Sequence, residues 1–172
     1  MSYESGKSMA GIGALLLVIG SFVPFLGIVG LILLLIGMND LAEYYKDKSI
    51  FQDALYGVIF GIIGIAAVGL GVLSLFTGAG LVVGVILGLV VAFIFYIIMA
   101  MYFRRAFDSL ANKTGEGRFK TAGLLLFIGA ILTIIVIGLI LIFVAWILIT
   151  VAFFSLRTAA EPPPPPPPPP AP

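Results

Sequence analysis

The chain contains no cysteine and no histidine. Disulfides, thiolate nucleophiles, thiolate metal sites and imidazole acid–base chemistry are therefore excluded. Charge is scarce as well: only 10% of the 172 residues are Asp, Glu, Lys or Arg, against about 25% in an average soluble domain. The formal net charge of +1 gives no basis for nucleic-acid binding. In place of charge the chain has apolar residues, 62% of the total, more than a soluble fold of this size could bury. The expected solvent is a lipid bilayer, and the expected class a polytopic membrane protein.

All seventeen charges fall in four short runs, at 4–7, 40–53, 104–120 and 157–161. Between them lie charge-free stretches of 30, 50 and 36 residues, at 9–38, 54–103 and 121–156. A helix rises 1.5 Å per residue and a span needs ~20 residues, so the second and third stretches must each cross twice. The first is interrupted by Ser21-Phe22-Val23-Pro24. Pro24 breaks or kinks a helix there. A hairpin of helices over about 8–22 and 25–45 is expected; a single tilted helix, giving five spans in all, is the alternative.

Six spans place all nine basic residues on one side of the membrane. By the positive-inside rule both termini are then cytoplasmic, in a multi-pass protein of the cell membrane. No cleavable signal is evident. The expected architecture is all-α: a cytoplasmic N-terminus (1–8), a transmembrane bundle of three hairpins (9–157) and a proline-rich cytoplasmic tail (158–172). Thr77-Gly78-Ala79-Gly80 reads as one outer turn by its glycines, and a second is inferred near 133–138 from length. Leu15–Gly20 matches Leu124–Gly129 in five of six positions, an internal similarity that favours hairpin units.

The central hairpin carries small residues at helical spacing. Gly80, Gly84, Gly88 and Ala92 share one face, and Gly57, Gly61, Gly64 and Gly71 share another. Such faces let helix backbones approach closely inside lipid, either within this hairpin or between copies in a homo-oligomer. The first reading makes this hairpin the tightly closed centre of the molecule.

Chemistry can concentrate only in the loops. Ser49-Ile50-Phe51-Gln52 reads as a capping box opening the third helix, with Tyr44 and Tyr45 at headgroup level before it. Arg104 and Asp108 form an i, i+4 pair, and residues 113–120 read as a flexible basic turn. Arg104, Arg105, Arg118 and Lys120 are the candidate contacts for an anionic lipid or ligand, with ordinary positive-inside anchoring as the plainer reading. The phosphate-loop and dinucleotide look-alikes Gly6-Lys7-Ser8 and Gly115-Glu116-Gly117 lack the required glycines and strands. Within the apolar stretches there is no ionisable Asp, Glu, Lys or Arg, which argues against an ion-coupled carrier; Asn39 and Asp40 are nearest, at the edge. No cofactor, metal or catalytic residue is expected, and the protein is expected not to be an enzyme.

The tail is Glu161 and nine prolines, then Ala171 and Pro172. It should form a polyproline II rod of ~28 Å. As a ligand for a cytoplasmic protein partner it would present Pro162, Pro165 and Pro168 on one edge.

The blocks Leu41–Gly57, Phe103–Ala111 with Lys113-Thr114-Gly115, Ala145–Leu148 and Ala152–Leu156 resemble the DUF996 family of prokaryotic, largely archaeal, membrane proteins. The resemblance covers most of 9–157 and implies location and topology. It brings no catalytic residue with it. The expected function is a non-enzymatic membrane scaffold or interaction protein; a small channel or facilitator for a neutral or weakly polar solute is the alternative.

Overall fold

A computed structural model describes residues 3–76 and 81–156. Among these it contains helices and turns only: α1 (Tyr3–Gly20), α2 (Pro24–Tyr44), α3 (Lys48–Leu73), α4 (Leu81–Thr114), α5 (Gly117–Ile131), a short 3₁₀ turn (Leu132–Ile134) and α6 (Ile137–Ser155). The turn expected at Thr77–Gly80, Gly80 itself, and the proline tail with Pro162, Pro165 and Pro168 lie outside the described residues.

The first apolar stretch is a hairpin. Pro24 takes the first turn of α2, where a missing N–H costs nothing, and the Phe22 and Val23 N–H groups close α1 on the Ile19 carbonyl. α1 begins at Tyr3, five residues earlier than expected, so Glu4 and Lys7 lie on the helix itself. α2, α3, α4, α6 and α5 continued through the 3₁₀ turn to Ile134 are each long and apolar enough to cross a membrane, and the whole is a helical transmembrane bundle.

α1 is held along its full length by α2. Gly6 and Ala10 meet Gly37, Gly13 meets Gly30 and Leu34, and Gly20 meets Gly27. A Cβ on Gly30 would sit 2.7 Å from the Gly13 carbonyl oxygen. The two backbones touch, as small residues allow between helices in lipid. Gly129 in α5 sits likewise against Gly138 in α6. The matched glycines of the internal similarity, Gly20 and Gly129, therefore occupy corresponding crossings just below their turns.

In the central hairpin, Gly57 faces the Phe103 ring and Gly61 faces Met99. Gly64 lies against Ala92 and Phe95, Gly71 against Gly84 and Gly88, and Gly84 against Ser74. This hairpin is one segment of a ring rather than a hub with flanks. Each helix packs on its sequence neighbours, and α6 returns to α1, where Gly11 meets Phe153 and Phe154.

Burial is uneven along the ring. The end carrying the charges holds the large buried side chains, Leu34, Met38, Leu41, Ile50, Phe103, Phe107, Leu110, Phe119, Ile149 and Phe153. The opposite ends of α3 and α4 and the turn before α6 present Leu70, Phe76, Val83 and Ile134 outward, as lipid-facing surfaces do.

Candidate functional site

The charged end is assembled from two helix junctions. Between α2 and α3 the chain reverses through Lys46, a non-glycine residue in the left-handed region at φ 52°. The Asp47 N–H bonds back to the Ala42 carbonyl at 2.9 Å and the Lys46 N–H to that of Glu43 at 3.2 Å, the paired closure of a Schellman motif. Asp47 then caps α3, accepting from the Ser49 N–H at 3.1 Å and from its hydroxyl at 2.6 Å. This corrects the expected capping box: the cap lies two residues before Ser49, which is already helical. A carboxylate two positions ahead accepts both of its donors, so Ser49 does not serve as the cap.

Asp47 ties the two junctions together through an ion pair with Lys113 at 3.4 Å. The Ser49 hydroxyl bond, helped by Lys113, holds its carboxyl below the usual carboxylate range. Ser49 and Ser109 hydroxyls meet at 3.2 Å across α3 and α4. The second junction is tighter than the expected flexible turn. α4 continues to Thr114, Gly115 closes it at φ 73° by bonding the Ala111 carbonyl, and Glu116 caps α5 through the Arg118 N–H.

Tyr3 joins Tyr44 and Tyr45 in an aromatic cluster, with ring centroids 4.8 and 6.2 Å from it and 5.0 Å between the latter two. Burial pushes the Tyr3 and Tyr45 hydroxyls up from their ordinary value, and the two are hydrogen-bonded to each other. Beside them lies a polar cavity of about 350 Å³ whose wall includes Lys113, Thr114, Ser155 and Leu156, the last described residue before the tail.

The four candidate basic residues are distributed rather than gathered. Arg104 pairs with Asp108 at 3.7 Å, as expected, and lies over the Phe127 ring of α5 at 5.4 Å. Arg105 lies over Tyr102 at 5.5 Å. Arg118 reaches α6, donating to the Ser155 hydroxyl at 2.6 Å, and pairs with Glu116 at 3.7 Å. Lys120 is exposed.

Two features had no counterpart in the reading of the sequence. Inside the charged half, Phe103, Phe107, Phe119 and Phe153 form a chain of ring contacts joined by Trp146, from α4 through α5 to α6. Toward the other end, α3, α4 and the 3₁₀ turn line an open apolar cavity of about 750 Å³. Its polar lining is the Tyr96 and Thr133 hydroxyls, bonded to each other. Among the described residues no group of three or more carboxylates could hold a metal ion.

The family model described as "Protein of unknown function (DUF996)" matches residues 26–147. The chain belongs to the DUF996 family. It is 32% identical over 166 residues to the uncharacterised protein MJ1644 of Methanocaldococcus jannaschii, an alignment covering 91% of this chain and 94% of that relative. No solved structure matches. The matched region of this DUF996 protein runs from the start of α2 into α6 and includes both junctions of the charged end.

Proposed function

We propose that this DUF996 protein is a non-enzymatic membrane scaffold that offers its charged end and proline tail to protein partners in the cytoplasm. The observation that carries this reading is the aromatic chain across α4, α5 and α6. Phe103, Phe107, Phe119 and Phe153 are each at most 2% exposed, so rings occupy the space a conduit would need. The end surrounding them is internally braced by the Asp47 cap, the Asp47–Lys113 pair and the Arg118–Ser155 bond, as suits a fixed platform. Its eight described basic residues support a cytoplasmic orientation. α6 ends there, the tail follows it in the sequence, and a polyproline II segment is a preformed ligand for aromatic-lined grooves. The glycine faces of α3 and α4 meet within one chain, so self-association would use another surface.

The alternative, a facilitator for a neutral or weakly polar solute, draws support from the outer apolar cavity. One experiment separates the two. Full-length and 161–172-deleted proteins are cross-linked in native membranes, affinity-purified and compared by mass spectrometry, and both are reconstituted into vesicles for solute-flux measurement. Partners lost with the tail, and flux equal to that of empty vesicles, support the scaffold. An unchanged partner set together with flux above background refutes it.

A further inference from the structure

Asp40 is placed where a carboxylate is expensive to keep. It lies in α2 one turn inside Tyr44, is only 4% exposed, and its Oδ2 has no hydrogen-bond partner. Buried charges are ordinarily paired, since desolvation is repaid only by a counter-charge with hydrogen bonds. Its burial comes from α1: Gly6 lets that helix approach so closely that a Cβ there would lie 2.8 Å from the Asp40 Cβ. The nearest basic residue along α1, Lys7, is engaged with Glu4 at 3.9 Å instead.

Asp40 also lines a cavity. Two adjoining spaces of about 570 and 610 Å³ run between α2 and α3 and share Asn39, Glu43 and Phe51 in their walls. The deeper one is walled by Ile32, Leu35 and Ile36, with Asp40 among them. The outer one ends at Lys46 and Lys48. Asn39 donates its amide to the Glu43 carboxylate at 3.3 Å. From the membrane outward the cleft is therefore aliphatic, then acidic, then basic.

We propose that this cleft binds a lipophilic amine, an apolar body bearing one ammonium group. The ammonium would pair with the carboxyl group of Asp40, one oxygen of which the protein leaves without a hydrogen-bond partner, and face Glu43. The apolar body would fill the space against Ile32, Leu35, Ile36 and Phe51. Lys46 and Lys48 at the rim repel each positive charge a ligand carries, which disfavours polycations most. A metal ion fits the site poorly, because among the described residues no third carboxylate joins the two. This site is independent of the scaffold reading, which needs nothing from the α2–α3 cleft.

The probe is 1-adamantylamine, compared with its neutral and anionic shape-mates 1-adamantanol and adamantane-1-carboxylate. Binding is measured by calorimetry on the full chain in nanodiscs of zwitterionic lipid. The amine is expected to bind at least about tenfold more tightly than the alcohol, the worth of a hydrogen bond to a charged group. Asp40→Asn removes that preference, Glu43→Gln weakens it, and Lys7→Met leaves it intact. Equal binding of amine and alcohol to the unaltered protein overturns the proposal, and needs no variant to fold. So does an amine preference that survives Asp40→Asn. Amine binding seen only in Lys7→Met also overturns it, because Lys7 would then be the partner of Asp40.

Discussion

The backbone contact between α1 and α2 makes a sharp prediction for Gly37→Ala. The new Cβ would lie 2.6 Å from the Gly6 carbonyl oxygen, 2.7 Å from the Ala10 Cβ, and against the Ala10 amide nitrogen. Ordinary contact begins near 3.4 Å, a shortfall of 3.4 − 2.6 = 0.8 Å. Backbone atoms and a Cβ have no rotamer by which to move aside, so the helices must separate. Overpacking of this kind costs ~1–3 kcal/mol. Against it stands the gain from replacing a mid-helix glycine, up to ~1 kcal/mol. Gly69→Ala in α3 isolates that gain, because nothing lies within 4 Å of a Cβ there. Reversible unfolding in mixed micelles should therefore place Gly37→Ala about 1–3 kcal/mol below Gly69→Ala, a factor of roughly 5 to 150 in the folded population. Equal stability of the two variants would refute the claim that these helices meet backbone to backbone.

Two further outcomes test the charged end. Phe107→Ala removes a ring that touches Phe103, Phe119 and Trp146, and should destabilise the bundle by ~3–5 kcal/mol in thermal unfolding. Asp47→Ala removes the α3 cap and the Lys113 pair and should cost about 1 kcal/mol at neutral pH. Because the Asp47 carboxyl is held below its ordinary 3.8, its contribution is complete above pH 3.8 and is lost as acidification passes through the lowered value. The gap between the unaltered protein and Asp47→Ala should therefore close at low pH; a gap that widens on acidification would show the sign to be wrong.

Much of the fold was legible because lipid imposes it. Charge-free stretches of a length set by the bilayer mark helices, and Pro24 marks the reversal between α1 and α2 by its fixed backbone geometry. The Arg104–Asp108 pair was legible too, since it depends only on helical spacing within one element. Partner choice was not. Gly6, Ala10, Gly13 and Gly20 stand in the sequence as plainly as the glycines of α3 and α4, but half of their face lies among charges, so it does not read as a membrane helix. The α3 cap was misplaced because Asp47 and Ser49 are both good caps, and only the backbone turn at Lys46 decides between them. The burial of Asp40 could not be read from α2 at all. It exists because Gly6, 34 positions earlier, lets α1 close over it. The four basic residues scatter for a related reason: their spacing fixes a helix face, while their contacts depend on which helix stands opposite.

The contact between α6 and α1 has a consequence for how the molecule is made. A ring whose first and last helices are neighbours cannot be sealed during elongation, however early its hairpins form. Until α6 has entered the membrane, the Gly11 side of α1 faces whatever surrounds the translocation machinery. α1 is less apolar than the five candidate spans, and it packs along its length on α2. Biogenesis of the bundle is thus a two-ended problem, in which the opening hairpin waits, already zipped along its glycines, for the arrival of the closing one.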